Sequence, residues 1–359
     1  MKCTYRAAKL LEENQKLKVH SVYHNTVNIA VGKRILAFHR DTISCTPLSL
    51  ALPFSEEEFE FFEWEAQRTG VVNLCCCQIS TGDFEKSAGE MILWEDRLGR
   101  KVQSDLDDYS KKYLKNPQNL ANDILTELLP VITRNSQLGG FADSAVTTEK
   151  RKEDSFITQI LREKTAVLLA ENKDADFEAV IRSLIGLGPG LTPSGDDFLT
   201  GMLLAYSLME KSDKKQKQIC KIVRENLDRT NDISREYLLC AMENRFGELY
   251  HKLWERLYSG NVYQDNMSNT DATYSNLPLC SGNVHQDNMS NTDATHTNLP
   301  LCFGNVCQDI FDRIVCTGHS SGLDTLNGLA VGLKINIRSD LVEKVGAKKT
   351  LEVHDNRKG

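Results

Sequence analysis

Two adjacent carboxylates stand beside an unusual glycine loop in the middle of this 359-residue chain. Residues 185–201 read IGLGPGLTPSGDDFLTG. Gly186, Gly188 and Gly190 alternate with other residues, and glycine lets a ligand approach the main chain closely. Thr192 and Pro193 then open a helix, since proline suits the first helical position. Asp196 and Asp197 fall in the first turn, and Phe198, Leu199, Met202, Leu203 and Leu204 continue an apolar helix. A glycine loop feeding a helix N-terminus gathers free N–H groups and the positive end of the helix dipole at one spot. The chemistry this suits is anion capture, with the two carboxylates holding a magnesium-bridged phosphate or the polar N–H groups of a substrate. Helix capping is the competing explanation. Ser194-x-x-Asp197 fits a capping box, and acids in a first turn favour the dipole without any ligand.

A near copy lies far downstream. SGLDTLNG at 321–328 matches SGDDFLTG at 194–201 as S-G-x-D-x-L-x-G, and each is followed by apolar, helix-like residues. Capping accounts for the serines and for Asp197 and Asp324. It does not account for Gly201 and Gly328, which cost about 1 kcal/mol each inside a helix. Two equivalent helices crossing at these glycines, with their N-termini facing one site, would explain them. Asp196 and His319 differ between the copies and would make that site asymmetric. His319, just before the second helix, could donate to an anion or carry a proton.

GLGPGLTPSGDDFLTG together with TGHSSGLDTLNGLAVGL resembles the family of the oxamate carbamoyltransferase subunit AllH. The resemblance implies a cytoplasmic protein that works with two partner subunits, one of them FdrA-like, in anaerobic allantoin and purine breakdown. Its reaction would convert oxalurate and phosphate to oxamate and carbamoyl phosphate. Such a site must position phosphate against the carbamoyl carbon and stabilise charge on its oxygen. The candidate catalytic residues are Asp196, Asp197, His319 and Asp324. The candidate substrate- and phosphate-binding residues are Gly188, Gly190, Leu191, Thr192, Ser194, Gly195, Ser320, Ser321 and Gly322. Asp196 and Asp197 are the ligands if Mg2+ is the cofactor. The alternative is a non-catalytic scaffold, or a small-anion-binding module, that serves FdrA-like partners which do the chemistry. Thr230 and Ser234 are either site-lining hydroxyls or helix caps.

The rest of the chain must position these motifs. A formal charge of −7 argues against nucleic-acid and membrane-surface roles. No apolar run reaches the roughly 18 residues needed to span a membrane. The polar N-terminal stretch lacks a signal-peptide core. The 11 scattered cysteines contain no C-x-x-C pair, which suits reduced thiols in a reducing cytoplasm rather than a zinc site. The expected class is α+β. Residues 1–105 form a β-rich domain, a small antiparallel barrel or sandwich of about six strands. Residues 106–359 form a larger helical domain carrying both motifs. His20, His24 and His39 lie in the β-rich part without acidic or thiol ligands at metal-binding spacing. At 259–302 a 22-residue unit repeats in tandem, SGNVYQDNMSNTDATYSNLPLC then SGNVHQDNMSNTDATHTNLPLC. Its polar composition cannot offset ordering entropy, so it reads as a flexible insertion outside the core.

Overall fold

The computed structural model describes residues 1–12, 16–42, 44–75, 77–98, 117–170, 174–209, 214–259 and 307–355. The repeats from 260 to 302 lie outside the described residues. The N-terminal part is one curled nine-stranded sheet, and the rest is mainly helical.

The strands are β1 (Lys2–Thr4), β2 (Lys16–Tyr23), β3 (Thr26–Val31), β4 (Arg34–Arg40), β5 (Ser49–Leu52), β6 (Val71–Cys75), β7 (Gln78–Thr81), β8 (Phe84–Ser87) and β9 (Ile92–Trp94). Their order is β8-β7-β6-β2-β3-β4-β5-β1-β9. Local turns explain most of it. Asn25, Gly32, Cys77 and Gly82 take positive φ between paired strands, which permits tight hairpins. Two pairings, β4 with β5 and β1 with β9, are parallel, so the sheet is mixed rather than wholly antiparallel. β6 and β7 form a hairpin. Nine strands exceed the expected six or so because β1 and β8 are too short to show a period. Helices α1 (Tyr5–Glu12) and α2 (Glu56–Thr69) pack within this part. A capping box between Ser55 and Glu58 starts α2, and Gly70 at φ 70° ends it. Phe59 and Phe62 of α2 join Phe38, Phe54 and Phe84 in the aromatic core that the sheet curls around.

The helical part comprises α3 (Pro117–Arg134), α4 (Phe156–Leu169), α5 (Asp174–Leu184), α6 (Ser194–Leu208), α7 (Lys214–Glu225), α8 (Asp232–Met242), α9 (Glu248–Ser259), α10 (Gln308–Val315) and α11 (Ser321–Asp355). α6 is apolar on every side, which marks a buried helix, and Phe198 through Ala205 are almost wholly buried apart from Thr200. α11 is equally buried from Leu323 to Leu333. These two form the axis, with α3, α4 and α10 packed on α11 and α5, α7 and α8 on α6. The connector 139–147, expected to be polar, buries Phe141, Ala142 and Ala145 against this axis. The fully buried Arg162 fixes it, through 2.7 Å bonds to Asp143 and to Asp154. The sheet meets the helices along α8 and α9. Arg34 pairs with Glu236 at 2.5 Å, and the Glu248 N–H donates to the Cys45 carbonyl at 2.8 Å.

Candidate functional site

The two S-G-x-D-x-L-x-G motifs pack directly on each other. A Cβ added to Gly201 would overlap the Thr325 carbonyl oxygen and stand 2.8 Å from the Leu329 nitrogen. One added to Gly328 would overlap the Phe198 carbonyl oxygen and stand 2.7 Å from its carbon. The contact is reciprocal: Gly201 meets the residue three places before Gly328, and Gly328 meets the residue three places before Gly201. Backbone touches backbone, and only hydrogen fits between. Gly332 carries the contact further along α11, 2.7 Å from Ala205 Cβ if a Cβ were present.

The motif loops are also equivalent. Gly195 and Gly322 each press on the carbonyl ending the previous helix, Leu184 for one and Ile314 for the other. Their N–H groups donate to Leu187 at 2.9 Å and to Thr317 at 3.0 Å. Gly188 and Gly318 both take positive φ beside the motif serine that follows. Each motif is thus one helix–loop–helix unit, and the first loop is longer by Pro189, Gly190 and Leu191. Those three residues are exposed, as is His319 in the second loop.

This pairing sets the helix N-termini side by side. The Thr192 and Ser321 hydroxyls are 2.7 Å apart. Ser194 does not cap its own helix as the capping reading expects, since α6 carries no side-chain cap. The two motif serines reach across. Ser321 of the second motif lies against Asp197 of the first, and Ser194 of the first lies against Asp324 of the second. Asp324 accepts from the Phe141 N–H at 2.7 Å, and Ser320 faces the same carboxyl. Gly140 must be glycine here, because a Cβ would overlap that carboxyl. Phe141 in turn stacks on Phe198 of α6, centroids 4.1 Å apart.

Burial dominates the electrostatics. It pushes the Asp324 carboxyl up to about 7 against the opposing Phe141 N–H and serine hydroxyls. Burial also raises Asp197 well above the ordinary carboxylate range, the nearby Asp324 and Asp196 carboxylates add to this, and the Ser321 and Thr192 hydroxyls oppose it. One oxygen of each, Oδ2 of Asp197 and Oδ2 of Asp324, is buried without a hydrogen-bond partner. Two like carboxyls sharing one enclosed space do not both ionise readily.

Asp196 has a different setting. It is 1% exposed and its oxygens are filled. The Gly186 N–H donates at 2.9 Å, Ser234 Oγ at 2.7 Å, and Thr230 Oγ1 at 2.5 Å. Asp196 therefore ties the glycine loop and the start of α8 to α6. Thr230 and Ser234 are brought to the motif by this bracket, while Asn231 is the residue that caps α8.

Sequence reading missed four contributors. Gly140 and Phe141 close the Asp324 side. Tyr237 and Tyr250, from α8 and α9, sit within electrostatic reach of Asp197, with Tyr237 donating to Thr46 at 3.5 Å and Tyr250 beside Thr325. Burial raises both phenols, so they stay protonated donors at neutral pH. The doubled glycine at 139–140 was the visible signal for the first; nothing local marks the tyrosines. Among the described residues, no cluster of three or more His, Cys, Asp or Glu is placed to hold a metal ion. Nor is any helix long and apolar enough to cross a membrane.

The family model described as oxamate carbamoyltransferase subunit AllH matches residues 184–274. That span begins at the end of α5 and holds the glycine loop, the first motif and the helices through α9. It bears out the resemblance read from the first motif; the second motif lies beyond it. No solved structure matches the chain.

Proposed function

We propose that this chain is a subunit of a multi-subunit oxamate carbamoyltransferase and that the paired motif ends are its substrate site. The reaction we assign is oxalurate plus phosphate to oxamate plus carbamoyl phosphate, in cytoplasmic allantoin and purine catabolism, with an FdrA-like subunit and a third subunit as partners. The matched family supports the first part. The observation that carries the site is the Asp197–Asp324 pair, two buried carboxyls that each keep an unpartnered oxygen.

The chemistry needs such a pair. A phosphate oxygen forms a bond to the carbamoyl carbon, and the carbon–nitrogen bond to the oxamate moiety breaks. The departing amide nitrogen is a poor leaving group unless it receives a proton. A carboxyl held protonated near neutral pH delivers one, a contribution of typically 10²–10⁴-fold. The second carboxylate accepts an N–H of the ureido group and fixes its plane. In the reverse direction the first group, now a carboxylate, takes the proton back from oxamate. Thr192, Ser320 and the exposed N–H groups of Gly190 and Leu191 border the phosphate position, with Tyr237 and Tyr250 behind it, and His319 stands at the outer rim. Asp196 positions the loop. Mg2+ at Asp196 and Asp197 would add a Lewis acid, but Asp196 already has three donors, which favours direct hydrogen bonding.

A scaffold role has one observation in its favour: close helix packing alone accounts for Gly201 and Gly328. The assembled complex separates the readings. Asp324→Asn keeps the acceptor for Phe141 and removes the proton donor. We expect carbamoyl phosphate formation to fall at least ~100-fold with the complex intact. Turnover within twofold of wild type would leave the scaffold reading in its place.

A further inference from the structure

α2 carries aromatic side chains beyond its buried face, and one of these, Phe61, also edges onto the core ring of Phe84 at 5.8 Å. Phe59 and Phe62 are buried in the sheet's core. Phe61 and Trp64 are 43% and 57% exposed on the opposite face. Their rings lie stacked at 6.2 Å, and the Arg68 guanidinium sits 5.5 Å over Trp64. Glu57, Phe61, Trp64 and Arg68 are spaced to share one helical stripe. Phe61 serves the core through Phe84, but local stability does not require a ring as large as Trp64 beside it, since surface positions of a helix are served by any strong helix former. Trp and Arg are also the residue types that most often carry binding energy at protein interfaces.

The surroundings are acidic. Glu57 and Glu60 are exposed on the helix and Asp83 on the β7–β8 turn, while the β8 cation facing α2, Lys86, is paired with Glu58. β8 ends the sheet order, so this patch lies at a sheet edge. Arg68 does not offset them, being engaged by Glu65 at 2.6 Å.

We propose that this face of α2 docks a partner subunit whose contact surface is apolar at its centre and rimmed by lysine and arginine. A second copy of this chain is a poor occupant, because a two-fold contact would set the acidic rim against itself. The partner's identity rests on the carbamoyltransferase reading; the surface itself rests on the exposed aromatic pair and its charge.

The test uses the full chain reconstituted with the other carbamoyltransferase subunits, with binding followed by native mass spectrometry and titration. Phe61→Ala with Trp64→Ala should weaken association at least ~30-fold while the free chain still folds and unfolds in one cooperative transition. Glu57→Lys with Glu60→Lys, which leaves the rings in place, should weaken it about tenfold at low salt, and the deficit should shrink as salt rises. Wild-type affinity in the double alanine variant overturns the proposal, as does stronger binding after charge reversal. A wild-type complex that assembles but forms no carbamoyl phosphate refutes the proposed reaction and leaves the surface standing. A wild-type chain that binds none of these subunits overturns both.

Discussion

Replacing Gly201 by alanine adds one carbon where the backbones of α6 and α11 touch. That carbon would stand 2.8 Å from the Leu329 nitrogen and overlap the Thr325 carbonyl oxygen. The oxygen lies at only 1.9 Å, so α6 and α11 must part by about an ångström or more to restore ordinary contact. Both sides of the clash are main chain, which cannot rotate away as a side chain would. Such a gap forfeits a quarter to a half of each dispersion contact along the seam. Overpacking of this kind costs roughly 1–3 kcal/mol, and rigid backbone on both sides favours the upper end. Alanine returns about 1 kcal/mol of helix propensity. The expected net loss is ~2 kcal/mol, and the reciprocal Gly328→Ala should lose about the same. The double variant is the discriminating case. Once the helices have parted for one methyl, the second finds room, so the double should be well short of the sum, with a coupling of ~1 kcal/mol or more. Urea denaturation of the four proteins measures it. Additivity within ~0.5 kcal/mol, or a gain in stability from either single change, would refute the crossing and the shared site with it.

Two further outcomes can be checked on the isolated chain. Asp324 titrates near 7 when folded and near the ordinary aspartate value of 3.8 when unfolded, so between these the unfolded state binds fewer protons and stability must fall as pH rises, flattening above about 7. Asp197, also raised, adds in the same direction. Melting curves from pH 4 to 8 should show this slope, and Asp324→Asn should reduce it; an unchanged slope would place the carboxyl's titration elsewhere. Asp196→Ala strands the donors Gly186 N–H, Thr230 and Ser234 and should cost about 3 kcal/mol, the scale of unsatisfied buried donors to a charged acceptor. A loss under 1 kcal/mol would mean that the bracket is dispensable.

The sequence by itself determined the α+β class and the pairing of the motifs. Helical and strand periods are local, set by the alternation of apolar residues along a few turns, so α6 could be placed after Thr192 and Pro193 from pattern alone, while α1, inside the β-rich part, could not. The glycines at 201 and 328 were also legible, because a costly residue placed twice at the same motif position implies a common cause. The reach of the serines was not. Ser194 and Ser321 sit where a cap would sit, and only the crossing of α6 on α11 turns each toward the other motif's aspartate. The roles of neighbouring carboxylates were equally hidden. Asp196 and Asp197 are adjacent in the chain, yet successive helical residues point about 100° apart. One turns to the Thr230–Ser234 hydroxyls and is satisfied. The other turns to Asp324 and is left with a bare, buried oxygen. Which side each faces depends on helices 30 to 130 residues away, and no local pattern records them.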